Sequence, residues 1–285
     1  MYNTEDIFKA IEYMEAHLKD SLTIGEVADY VGFSKYHFTR LFKESTGFTP
    51  SDYYRGRKVT EALNYMKANR CKIIDAAFEY GFNSPEVFTR SCLSALGSSP
   101  SQIKKSLQNE SFTGISPLSL NQLTFYTQFD HTNVREEELP AIIIKGRYYT
   151  SCEMFPPLDY KSDIVRKLSK ESDTLFQLHW ATDSNTYNHL IGIPVDLAHL
   201  SDDDFDNYVY KKIPNQTYLV FPLSDSRKEL PLMKDYIYDF HLPRNKYLND
   251  VTYAAETSRM NSEQSINASL LYIPVRRKND NRKHY

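Results

Sequence analysis

The amino-acid sequence predicts a multidomain fold: an all-α domain of two helix-turn-helix units, then an α+β domain of two similar halves. Three observations carry this. A segment of the first hundred residues occurs twice, at an offset of about fifty. Around Ser106 to Pro117 the helical pattern fades into Gln, Asn, Ser and Gly. Beyond it, β-branched and aromatic runs alternate twice with helical periodicity. The boundaries that follow are 1–108 for the helical domain, 109–120 for a linker, 121–278 for the α+β domain and 279–285 for a polar tail.

The repeat runs from Ala28 to Pro50 and from Ala77 to Pro100. Ala28, Gly32 and Phe33 match Ala77, Gly81 and Phe82. Phe38, Thr39, Arg40, Gly47 and Pro50 match Phe88, Thr89, Arg90, Gly97 and Pro100. One residue is therefore inserted after the Gly-Phe turn of the second copy. A short helix, a glycine turn and a second helix, built twice, read as a tandem helix-turn-helix, and double-stranded DNA is the partner such a unit suits.

Each helix carries its own signals. Ile7, Ala10, Ile11, Met14 and Leu18 form an apolar stripe at helical spacing. Thr23-Ile24-Gly25-Glu26 is a capping-box sequence, with Leu22 and Val27 placed as a hydrophobic staple. Ser34 caps the next helix, whose stripe is Phe38, Leu41 and Phe42, and Gly47 ends it. Pro50 opens a long helix to about Ala68, with Tyr53, Tyr54, Val59, Leu63 and Met66 inward. The pattern recurs with a helix over 72–80, a turn at Gly81, Ser84 as cap and Pro85 at the first helical position. Ser99-Pro100-Ser101-Gln102 starts a final helix.

Composition excludes several classes. The net charge is −3, with 14 Lys+Arg against 14 Asp+Glu over residues 1–110 and 20 against 23 thereafter. A neutral DNA-binding domain must segregate its bases onto one face, with modest, salt-sensitive nonspecific affinity. The acidic first turns exclude a signal peptide, and no apolar run approaches a membrane span. Cys71, Cys92 and Cys152 lack metal-ligand spacing and read as reduced thiols of a cytoplasmic protein. No catalytic set, metal site or cofactor motif is present.

Through Ala28, Gly32, Phe33, Ser34, Phe38, Arg40, Phe42, Lys43, Gly47, Pro50, Tyr53 and Arg55, residues 3–107 resemble the DNA-binding domain of the AraC/XylS transcription regulators. The second copy departs at Leu93 and Ser94, where a Phe-Lys pair is common, and at Glu86. Independently, the apolar stripe leaves Lys35, Tyr36, Thr39, Arg40 and Lys43 on the outer face of one helix. Pro85, Glu86, Thr89 and Arg90 occupy the equivalent face of the other. Arg suits guanine O6 and N7, Thr and Tyr a thymine methyl, and Lys a phosphate. Glu86 suits either a cytosine amino group or the positive end of its own helix. The resemblance implies a promoter-binding activator that works with RNA polymerase; one chain with two reading helices needs no dimer.

In the second half, strands are expected at 139–149, 176–181, 190–194, 208–212, 217–222, 251–258 and 269–275, and helices at 158–171 and 230–240. The half is rich in tyrosine, which suits an aromatic pocket. Glu256 followed by Leu271-Tyr272-Ile273-Pro274-Val275-Arg276, together with Lys212-Ile213-Pro214 leading to Tyr218, is similar to the GyrI-like effector-binding domain. That resemblance implies a small-molecule effector, often a lipophilic cation, with Glu256 as counter-charge and Tyr148, Tyr218 and Trp180 around the ligand. Tyr148-Tyr149-Thr150-Ser151 stands where a glycine-containing motif is usual, and Thr257 where an aromatic is usual. Two competing expectations are a small hydrolase using Glu256 as general base and a module that recruits protein without a small ligand.

Overall fold

The computed structural model describes residues 4–106, 114–156, 162–181, 186–196, 208–223, 229–242, 245, 247–249, 253–260 and 266–277. The chain divides into two compact units, Met1–Phe129 and Asp130–Tyr285.

In the first unit, α1 (Thr4–Ala16) buries Ile7, Ala10, Ile11 and Met14. Helix α2 (Ile24–Tyr30) has a reciprocal capping box: the Thr23 N–H donates to Glu26 Oε2 at 2.7 Å, and the Glu26 N–H to Thr23 Oγ1 at 3.3 Å. Helix α3 (Lys35–Thr46) starts at Ser34, whose Oγ accepts from the His37 N–H, and ends at left-handed Gly47. Helix α4 (Pro50–Asn69) buries residues around its whole circumference, Arg57 and Lys58 among them, because it runs between the two repeats and packs against α1, α3 and the second repeat's helices. Those are α5 (Ile73–Glu79) and α6 (Pro85–Leu96), followed by α7 (Pro100–Ser106). Val59, Leu63 and Met66 of α4 share a core with Ala76, Ala77, Phe82, Phe88 and Cys92.

Four glycines, Gly32, Gly47, Gly81 and Gly97, take positive φ at the turns and helix ends of the two repeats. Gly81 is more constrained than Gly32 and Gly97, where an added Cβ would meet nothing within 4 Å. Its φ is +69°, and a Cβ there would lie 3.0 Å from the Lys19 carbonyl oxygen. Gly81→Val is therefore expected to lower stability by about 2 kcal/mol or more, through left-handed strain plus this contact. Chemical denaturation checks it; an unshifted midpoint contradicts the assigned turn.

The division between units falls later than the expected linker at 109–120 and domain start at 121. Residues 107–113 lie outside the described residues, but α8 (Leu120–Gln128) belongs to the first unit and packs against α1 and α3 with Leu123 and Tyr126 buried. The physical reason is a local signal the composition masked. Ser119 and Gln122 form a capping box, with N–H bonds of 2.9 and 3.2 Å, ahead of an apolar pair three residues apart.

The second unit is an antiparallel sheet with helices. Its strands are β1 (Arg135–Leu139), β2 (Ile142–Ser151), β3 (Thr174–Ala181), β4 (Tyr187–Val195), β5 (Val209–Ile213), β6 (Gln216–Leu223), β7 (Tyr247–Asn249), β8 (Tyr253–Met260) and β9 (Ile266–Arg277). Eight of them run in the order β1-β6-β9-β8-β3-β4-β2-β5, and the short β7 pairs with β9. Helix α9 (Asp163–Leu168) precedes β3; α10 (Leu230–Asp235) follows β6 and continues over 236–241 in wider i→i+5 turns. Part of the helix expected at 158–171, the first residues of the strand expected at 251–258, and the polar tail lie outside the described residues.

The strand expected at 139–149 starts only at Ile142, as β2; its first residue, Leu139, ends a separate strand, β1, that is not among the strands expected from sequence. Pro140 has no N–H for a ladder, and the chain switches partners there: β1 pairs with β6, β2 with β4 and β5. Within β2 and β4, Gly146 and Gly192 stand opposite each other, and a Cβ on Gly146 would lie 2.0 Å from the Ile191 carbonyl oxygen. The two strands approach too closely there for any side chain.

Strand alternation divides the unit's side chains between two faces. One face carries Ile144, Leu178, Leu190, Ile213, Tyr218, Val220 and Ala255 in a single apolar cluster. The other carries Leu175, Ile191 and Ile193, packed under Val165 and Leu168 of α9.

Candidate nucleic-acid interface and effector site

Helices α3 and α6 expose the same positions. On α3, Phe38, Leu41 and Phe42 are buried, while Lys35, Tyr36, Arg40 and Lys43 are exposed and Thr39 is half-buried. On α6, Phe88, Ser91 and Cys92 are buried, while Glu86 and Arg90 are exposed and Pro85 and Thr89 half-buried. Equal spacing of inward side chains thus turns the two sets of candidate residues outward in the same way.

The chemistry of the two faces differs. Tyr36 is 84% exposed, which costs an aromatic ring its burial and leaves it open to a partner. Thr39 donates its hydroxyl to the Lys35 carbonyl at 2.8 Å, so its own hydrogen is already committed within the helix. Among the described residues Arg40 is held only by an exposed i,i+4 pair with Glu44 at 4.0 Å, which is worth little and leaves the guanidinium available. With Lys35 and Lys43 this face is net positive. On α6, the Ser84 hydroxyl and the backbone N–H at the helix start hold Glu86 below the ordinary carboxylate range, with Arg90 adding to the effect. Glu86 is therefore an ionised acceptor, stabilised as a helix N-terminus stabilises an anion. Leu93, 48% exposed, stands where α3 has Lys43. The α3 face is thus the more basic of the two, with Lys35, Arg40 and Lys43 exposed against Arg90 on α6.

The four residues expected around an effector do not converge. Tyr148, Trp180 and Tyr218 stand on the sheet face of the Ile144–Leu178 cluster: Tyr148 meets Trp180 edge-on at 5.5 Å, and Tyr218 is buried. Glu256 stands on the opposite, helix-bearing face, 1% exposed and paired in register with Gln177. Alternation along β8 makes the separation inevitable, since Tyr253 and Ala255 face one way and Glu256 the other.

Around Glu256 lies a buried polar group that local sequence patterns do not announce. Its Oε2 is 3.9 Å from His179 Nε2, and His179 Nδ1 is 2.8 Å from His189 Nδ1. Tyr149 stacks on His189 and accepts at its hydroxyl from Gln177 Nε2 at 3.0 Å. Phe155 packs edge-on against His179. The Nδ1–Nδ1 contact needs one ring to donate and the other to accept. Only tertiary pairing brings these residues together; alternate positions 177 and 179 on β3 were the available hint. Among the described residues no group of three or more His, Cys, Asp or Glu is placed to hold a metal ion.

Burial pushes His189 down to about 4. The unfolded chain, with an ordinary histidine near 6.5, binds more protons in between, so stability is full above about 6.5 and is lost as pH falls towards 4. Between pH 7 and pH 5 this unit should lose about 2 kcal/mol. Urea midpoints followed by emission of Trp180, the chain's single tryptophan, check it; His189→Phe should flatten the profile, and a wild-type midpoint independent of pH would contradict the neutral buried ring.

Of the cysteines, Cys92 is buried and its thiol pushed up to about 12 by that burial, hence inert. No described helix is long and apolar enough to cross a membrane.

Residues 27–106 match the family model described as "Helix-turn-helix domain". The chain is 28% identical over 152 residues to the right origin-binding protein of Escherichia coli (strain K12), covering 53% of this chain and 51% of that protein. It is 34% identical over 84 residues to the multiple antibiotic resistance protein MarA of Salmonella typhimurium, covering 30% and 66%. It is 28% identical over 100 residues to the HTH-type transcriptional activator AarP of Providencia stuartii, covering 35% and 74%. The match thus spans about half the length of the Escherichia coli relative. Two repeats with matching caps, turns and outward faces, within the matched residues, identify the N-terminal region of this chain as a helix-turn-helix domain of the AraC type.

Proposed function

We propose that this chain is a sequence-specific transcription regulator of the cytoplasm that binds double-stranded promoter DNA and activates transcription together with RNA polymerase. The observation that carries the reading is the duplicated outward constellation: Lys35, Tyr36, Thr39, Arg40 and Lys43 on α3, and Pro85, Glu86, Thr89 and Arg90 on α6. Arg40 and Arg90 read guanine, Lys35 and Lys43 meet phosphate, and Glu86 accepts from a cytosine amino group. The second unit senses a small molecule and changes the affinity or geometry of the first. Its likeness to GyrI-like domains of two similar halves is supported by the sheet order, which is unchanged when β1, β2, β3 and β4 are exchanged with β5, β6, β8 and β9.

Selection from random duplexes, followed by footprinting, tests this. Two protected major-groove segments about one helical turn (~34 Å) apart are expected for a monomer. Sequence-independent binding at low salt only would overturn the reading.

A further inference from the structure

The apolar face of the second unit's sheet holds a recess of about 120 Å³, lined by Leu178, Trp180, Lys211, Lys212, Ile213 and Tyr253. Strand β5 lies three places from β3 in the sheet order, so these side chains share one recess only because the sheet curls its β5 edge over the central strands. Trp180 and Tyr253 are register partners on β3 and β8, which puts two rings on one wall. The Tyr253 hydroxyl is tied to Tyr218 OH at 2.8 Å and to Gln216 Nε2 at 2.6 Å, so that wall is rigid. Lys211 Nζ lies 5.5 Å from the Trp180 ring centroid, which holds its ammonium at the recess. Among the described residues, neither Lys211 nor Lys212 is in an ion pair.

We propose that this recess binds a small planar carboxylate, one aromatic ring in size, as the effector of the second unit. The inference rests on reading that unit as effector-binding, and it moves the site to the face opposite Glu256. Size decides against a bulky ligand: apolar cavities of about 150 Å³ hold a benzene, whereas sites for drug-sized molecules run to about 300 Å³ or more. Charge decides against a cation, since the Lys211 ammonium stands at the wall and is in no ion pair among the described residues. The two rings on that wall pack against the ligand's π-system, and Lys211, already ordered by the indole, meets the carboxylate at little further entropic cost.

Emission of Trp180 follows the recess directly, because the chain has no other tryptophan. The full chain is titrated with benzoate, neutral benzamide and cationic benzamidinium. A saturable change with benzoate alone is expected, weakened about tenfold or more by Lys211→Gln and unaltered by Glu256→Gln. No saturable change with benzoate, an equal response to benzamidinium, or a Lys211→Gln variant that titrates as the wild type does would overturn the proposal. Tetraphenylphosphonium, followed by thermal midpoint, separates the two readings. A stabilisation that Glu256→Gln abolishes, without benzoate binding, would sink the recess and keep an effector-binding unit. Silence from every probe would remove both and favour a second unit that recruits protein.

Discussion

Arg40→Ala is expected to weaken binding to a selected duplex by about 1–3 kcal/mol, roughly 5- to 150-fold, and to relax preference at one guanine. The guanidinium loses almost nothing within the free protein, because its one partner among the described residues, Glu44, sits at 4.0 Å on an exposed helix face. Its contribution is therefore realised in the complex. Arg90→Ala should act at a second position, with less effect on nonspecific affinity, since α6 offers Pro85 and Leu93 where α3 offers Lys35 and Lys43, and Glu86 in place of Tyr36. Lys43→Ala provides the contrast. Without its ammonium to meet a phosphate, affinity should fall by the same factor on every sequence, and the salt slope should drop by about 1. Measured by equilibrium titration at several salt concentrations, unchanged affinity in both arginine variants would refute the assigned faces.

Arg57→Met should cost the first unit about 3 kcal/mol, the lower end of what removing one partner of a buried ion pair costs. Arg57 is 3% exposed and holds three groups at once. It donates to both oxygens of Glu15 at 2.9 and 2.8 Å, to Glu61 at 3.0 Å and to the Ile115 carbonyl at 2.5 Å. The lower end is appropriate because the Glu15 and Glu61 side chains keep 22% and 31% of their exposure, so water relieves part of the charge left behind. The same residue ties the 114–118 segment onto α4, where Gly56 leaves room for Ile115 and Tyr53 accepts from the Leu118 N–H. Arg57→Lys should lie between, keeping charge but losing the fork. Thermal melts followed by helical circular dichroism read this. Glu15→Gln combined with Arg57→Met should cost less than the sum, because the pair acts as one unit; additivity would show that the network is not coupled.

The first unit was legible residue by residue. Ser34 and Ser84 cap the helices expected of them, Pro50 opens its helix, and Ile7, Ala10, Ile11 and Met14 are buried as their spacing predicts. What escaped there was non-local or disguised. The polar stretch after Ser106 hid α8, and Arg70, the described non-glycine residue with positive φ, ends α4 without the glycine that would have announced it. In the second unit, strand positions are legible from β-branched and aromatic runs, but the strand expected at 139–149 runs across Pro140, where the ladder changes partner.

By itself the sequence determined the repeated caps, glycine turns and outward residues of the helix-turn-helix units, because those signals act within one turn of the chain that carries them. Only the tertiary structure decided the fate of the aromatic and acidic residues of the second unit. Alternation says that Ala255 and Glu256 point opposite ways, but not which face the helices cover or which strands are neighbours. That choice rests on pairings between residues as far apart as Gln177 and Glu256, or Ile142 and Ile213, which local preferences do not encode. It put Glu256 under the helices beside His179, and Trp180 with Lys211 and Tyr253 in a recess on the other side.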